Sequence, residues 1–86
     1  MTIHYTSSFI RGFRELPREI QKLAVRQEEI FRRNPDDPRL HRKTLKGRLK
    51  GLMSFRVTRN YRVLYAWKEK ENALFYEIGD RKFIYD

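Results

Sequence analysis

Four side chains in the second half of the chain, Arg56, Arg62, Arg81 and Tyr85, are what remains for chemistry once the apolar and balanced positions are set aside, and they suit an anionic partner. A guanidinium presents its donors in a planar fork that fits two phosphate oxygens at once, and it stays charged at physiological pH. A phenol can exchange a proton or stack its ring on a base. Ahead of all four runs RLHRKTLKGRLKG, residues 39–51, where Arg42, Lys43, Lys46, Arg48 and Lys50 crowd one connection and His41 adds an imidazole, a side chain that could serve as acid or base. The charge is a block: every charged side chain from Pro38 to Lys68 is Lys or Arg, whereas the rest of the chain nearly balances. With a net charge of +9 over 86 residues, such a block is aimed at a polyanion or an acidic partner.

The same inventory excludes other chemistries. The absence of Cys rules out a disulfide framework and thiolate metal sites, and two His are too few for a zinc cage without carboxylates. No Gly-rich phosphate loop, nucleophile motif or evident carboxylate pair is present, so neither a metal nor another cofactor is expected. The opening MTIHYTSSF lacks a basic stretch followed by an apolar one, and no run approaches membrane-spanning length, so the expected location is the cytoplasm.

The elements that must hold these side chains follow from the apolar spacing. Ile3-His4-Tyr5-Thr6 alternates as a first strand. Ser7 or Ser8 is placed to cap a short helix carrying Phe9, Ile10, Phe13 and Leu16, and Pro17 breaks it from a second helix reaching about Arg32. On that helix Ile20, Leu23, Ala24, Ile30 and Phe31 form an apolar stripe interrupted by Gln27. Asn34 to Pro38 stops it, and Leu40, Leu45 and Leu49 can anchor the basic connection. Leu52 to Thr58, Tyr61 to Trp67 and Ala73 to Ile78 then read as three antiparallel strands joined by an Arg59-Asn60 turn and a charged turn. The expected fold is α+β in a single domain, 1–86: a strand, a helical hairpin, then an antiparallel β meander, with the helices on one face of the sheet. Phe55, Val63, Tyr65 and Trp67 should be core beneath the hairpin. Arg56 and Arg62, on neighbouring strands, should project together from the uncovered face. His4, Asp80 and Asp86 read first as ordinary structural or solvated groups.

Several segments taken in order, Leu45-Lys46-Gly47, Gly51 through Ser54-Phe55-Arg56-Val57, Tyr61-Arg62-Val63-Leu64-Tyr65, Ile78-Gly79-Asp80-Arg81 and Tyr85, resemble the RelE/ParE superfamily of bacterial toxins. The likeness runs from the first strand and the Leu16-Pro17 break to the last residue. It implies the toxin of a type II toxin–antitoxin pair, and in the RelE-like branch a ribosome-dependent, metal-independent endoribonuclease that halts translation by cutting messenger RNA in the A site, the 2′-hydroxyl attacking the adjacent phosphate. A cognate antitoxin, the ribosome and mRNA are the implied partners. By position, Arg62 matches the phosphate-binding arginine of the family's Tyr-Arg motif, Arg56 a basic strand position, Arg81 the cation after Ile-Gly, and Tyr85 the terminal aromatic. Two positions depart from the pattern: Ser54 stands where a second basic residue is common, and Asp80 where a His is. The proton acceptor therefore stays open among Tyr85, His41 and Asp80. A ParE-like inhibitor that binds DNA gyrase without cleaving RNA, and an inactive basic RNA-binding relative, are the competing readings.

Overall fold

The computed structural model describes residues 1–84 and orders the elements as β1 (Thr2–Tyr5), α1 (Ser7–Glu15), α2 (Arg18–Arg33), β2 (Lys43–Thr44), β3 (Met53–Arg56), β4 (Tyr61–Glu69), β5 (Asn72–Asp80) and α3 (Arg81–Ile84). Thr6, rather than Ser7 or Ser8, caps α1. Its hydroxyl accepts from the Phe9 N–H at 2.9 Å and donates to the Tyr76 carbonyl at 2.7 Å, so one side chain starts the helix and fastens it to β5. Leu16 is extended ahead of Pro17, the conformation a following proline demands, and α2 begins at Arg18. Among the described residues no helix is long and apolar enough to cross a membrane.

The sheet is five-stranded in the order β1-β5-β4-β3-β2. It is mixed rather than antiparallel: β1 pairs with β5 in parallel, Ile3 opposite Ala73 and Tyr5 opposite Phe75. Parallel neighbours need a long crossover, and here the helices and the β2–β4 region supply it. β3 ends at Arg56, two residues before the expected boundary, because the Thr58 hydroxyl accepts from the Asn60 and Tyr61 N–H groups and turns the backbone there.

The helix-facing core centres on Phe31, fully enclosed, with ring centroids 4.9 Å from Tyr65 and 5.3 Å from both Phe55 and Phe75. Two expected core residues stand at its margin. Trp67 is 38% exposed, since β4 carries it past the end of the helical cover to stack on the outer side of Phe31 at 5.6 Å. Leu23 is also 38% exposed, lying off the stripe that Ala24 and Phe31 bury.

Burial pushes the Tyr65 phenol up to about 12, with Arg42 drawing it back and Asp36 adding to the rise. Tyr5 is likewise pushed up to about 12, by burial and then by the Glu28 carboxylate to which its hydroxyl donates at 2.6 Å. A phenol with a folded value above its unfolded one contributes stability that is complete below about pH 10 and is lost as pH rises through 12. The denaturant midpoint should therefore hold up to about pH 10 and fall between there and 12, less steeply in Tyr65→Phe. An identical fall in that variant would remove Tyr65 as a source.

Candidate functional site

The β3–β4 register sets Arg56 directly opposite Arg62 and Ser54 opposite Leu64. Directly opposed residues share a face and lie about 5 Å apart at Cβ, so both arginines stand on the side turned away from Phe55 and Val63. On the other flank of β4, Arg62 opposes Gly79 and Tyr61 opposes Asp80. Arg81 follows as the first residue of α3, its N–H donating to the Asn60 carbonyl at 2.8 Å. Strand pairing and one turn thus bring Arg56, Arg62 and Arg81 to the same end of the sheet.

That face is not open as expected. Ser54, Leu64 and Arg62 are 0%, 3% and 5% exposed. One cause is α3, which closes over β5 so tightly that a Cβ on Gly79 would meet the Ile84 Cγ2 at 3.2 Å. Arg62 is held from within: its Nε and Nη2 donate to the Arg59 carbonyl at 3.3 and 2.8 Å, bracing the turn between β3 and β4. Arg56 is half-buried, and its Nε is a buried donor with no hydrogen-bond partner among the described residues. A donor withheld from water and left without an acceptor is costly.

The remaining candidates divide. His41 is exposed in a left-handed conformation (φ 48°), closing the 3-10 turn Pro38–Leu40. It precedes by two residues the Lys43–Ser54 pair of the β2–β3 ladder, which places it toward the Arg56 end of β3. Asp80 spends a carboxylate oxygen on the Lys82 N–H at 2.9 Å, capping α3, which weakens its case as acid or base. Tyr85 and Asp86 lie outside the described residues.

The basic connection is built rather than slack. Leu40 and Leu45 are buried anchors, a second 3-10 turn spans Gly47–Leu49, and the Leu45 N–H donates to the Leu52 carbonyl at 3.1 Å. Gly51 takes a φ of +95°, in the left-handed region where a Cβ is strained, to lead the chain back into β3. Arg42, Lys43, Lys46, Arg48 and Lys50 are all exposed, and Arg42 makes an ion pair with Asp36. That pairing was not legible in the sequence, nor was a second one: the Gln27 side-chain amide donates to the Arg39 carbonyl at 3.2 Å and to the Arg56 carbonyl at 2.8 Å. The signal for the latter was the polar interruption of the α2 stripe.

No protein-family model and no curated protein matches the chain. Solved structures do. The YoeB/ParE toxin from Agrobacterium tumefaciens is similar with a TM-score of 0.79 at 16% identity, over 94% of this chain and 99% of its own. YafQ from E. coli is similar with a TM-score of 0.82 at 14% identity, over 98% and 97%. A chain of the RelBE2 toxin–antitoxin complex from Mycobacterium tuberculosis reaches 26% identity with a TM-score of 0.76, over 93% and 96%. This chain has the RelE/ParE toxin fold.

On this RelE/ParE scaffold the arginine cluster sits at one end of the central strands, while an apolar cavity lies elsewhere. That cavity, of about 330 Å³, opens between α1 and α2, is lined by Phe9, Phe13, Val25, Phe55 and Phe75 among others, and has Arg14 and Glu28 at its polar margin. Its chemistry suits apolar side chains, not a phosphate.

Proposed function

We propose that this RelE/ParE chain is the toxin of a type II toxin–antitoxin pair and a ribosome-dependent endoribonuclease that cuts mRNA. The observation that carries the reading is the convergence of Arg56, Arg62 and Arg81 at one end of the sheet. A surface that only docks on gyrase has no need to converge cations on one phosphate.

In this mechanism the 2′-oxygen attacks the adjacent phosphorus as its proton leaves, the bond to the 5′-oxygen breaks, and that oxygen takes up a proton. The products are a 2′,3′-cyclic phosphate and a 5′-hydroxyl. Arg62 and Arg81 bind the non-bridging oxygens, whose charge grows in the transition state, and Arg56 adds fixed positive charge beside them. Tyr85 supplies the hydroxyl for proton transfer or stacks on a base, and His41 is the alternative proton acceptor. The antitoxin partner follows from the toxin reading. An acidic or amphipathic segment would cover the cations, and the slot between α1 and α2 offers apolar side chains a second foothold. Since ribosomes are its target, the protein acts in the cytoplasm.

The test is incubation of the purified chain with programmed ribosomes and with the same mRNA alone. The expected result is a single cut in the A-site codon and none in free RNA. Intact mRNA, with DNA breaks on expression, would favour the gyrase-binding alternative.

Binding and chemistry should separate. Replacing Lys43, Lys46, Arg48 and Lys50 together with Ala should weaken ribosome association and flatten its salt dependence, by roughly 0.7 to 0.9 in the log–log slope for each phosphate the variant no longer neutralises. Arg42→Ala should instead loosen the connection, because its ion pair with Asp36 is broken. A parental salt slope in the fourfold variant would assign the charge block to another partner.

A further inference from the structure

We propose that Gln27, on α2 and outside the arginine cluster, is a positioning residue for Arg56. The inference rests on the nuclease reading and extends it to a side chain that touches no substrate. Gln27 lies on the axis of the buried stripe, in helical register with Ala24 and Phe31, where an apolar side chain would ordinarily stand. An amide there is costly unless its hydrogen-bonding groups are satisfied. Its Nε2 donates to the Arg56 carbonyl at 2.8 Å and to the Arg39 carbonyl at 3.2 Å.

Both acceptors matter for the site. β2 pairs with β3 only at Met53 and Ser54, so that ladder stops short of Arg56. The next residue, Val57, turns its N–H the other way, to the Tyr61 carbonyl at 2.8 Å. By strand alternation the Arg56 carbonyl points to the flank β2 leaves empty, and Gln27 takes the place of the missing strand there. Arg39 belongs to the 3-10 turn that His41 closes, at the entrance to the basic connection. One amide therefore fixes the end of β3 and the start of that connection to the same point on α2. The Arg56 side chain leaves a backbone held on both sides, on the β4 flank by the Val57–Tyr61 hydrogen bond and on the other by Gln27. Without the amide the last residue of β3 is free to fray and Arg56 loses its aim, and a displacement of about 1 Å at a reacting centre costs up to a hundredfold in rate.

The test is a cycle of Gln27→Met, which keeps the length and loses both donors, with Arg56→Ala, read by single-turnover cleavage of programmed ribosomes. Gln27→Met should lower the rate at saturating ribosomes about ten- to a hundredfold, change the half-saturating concentration far less through the lost Arg39 tie, and have no further effect on that rate in the Arg56→Ala background. Gln27→Asn, an amide one methylene short of both carbonyls, should show the same pattern and serves if the Met variant does not fold. An unchanged rate, a change confined to half-saturation, or an equal fall in both backgrounds overturns the positioning role while leaving the nuclease reading intact. A parent protein that does not cleave overturns both.

Discussion

Arg62→Lys is expected to lower single-turnover cleavage of ribosome-bound mRNA about a hundredfold or more while the protein stays folded. Lysine keeps the positive charge and most of the aliphatic length, so the loss measures what the guanidinium fork does, both in bidentate contact with phosphate oxygens and in its paired donation to the Arg59 carbonyl, and the denaturant midpoint separates the two. Alanine is the poorer probe. Arg62 is 5% exposed and donates twice to the Arg59 carbonyl, so its removal also unbraces the turn between β3 and β4. Hydrogen bonds from charged groups are worth about 1.5 to 3 kcal/mol, and Arg62→Ala should therefore lose stability as well as rate. The check pairs the cleavage rate with the denaturant midpoint. A lysine variant that cleaves at the parental rate removes Arg62 from the reaction.

The face that Arg62 occupies was legible, yet the residue was misjudged as exposed. Alternation along Tyr61 to Trp67 correctly put Arg62 on the face opposite Val63 and Tyr65, and pairing with Arg56 followed from the short turn between the strands. Alternation says which face a residue occupies, but not what later folds over it. The cover includes α3, a one-turn helix whose Ile84 seats against Gly79, and four residues leave too little periodicity to read in advance. The parallel pairing of β1 escaped for a related reason: a four-residue strand fits either neighbour direction, and the choice is made by where the crossover brings it. The polar ties were invisible because each depends on how the chain turns between its partners, six residues apart for Arg42 and Asp36 and 29 apart for Gln27 and Arg56. Arg42 counted as a free cation until Asp36 was placed beside it, and Gln27 as an interruption until two carbonyls faced it.

Phe31→Ala is expected to remove about 3 to 5 kcal/mol, and Trp67→Ala only about 1 to 2. Both residues satisfied the same rule in the sequence, a large aromatic on the apolar side of its element. In the fold their surroundings differ. Phe31 is fully enclosed by Phe55, Tyr65, Phe75 and Trp67, joining α2 to three strands, so truncation leaves a cavity that those rigid rings cannot collapse into. Trp67 is 38% exposed and keeps solvent on its outer side, so its removal forfeits part of a ring's burial and its stacking on Phe31 but opens no void. Small domains hold about 5 to 15 kcal/mol in total, and one of 86 residues belongs toward the lower end. Phe31→Ala should therefore populate the unfolded state at ambient temperature and lose activity through folding, whereas Trp67→Ala should remain folded and keep the parental cleavage rate. Urea midpoints on the two variants decide the matter. Equal losses would show that Trp67 is as central to the core as Phe31, and that the end of β4 lies beneath the helices instead of beyond them.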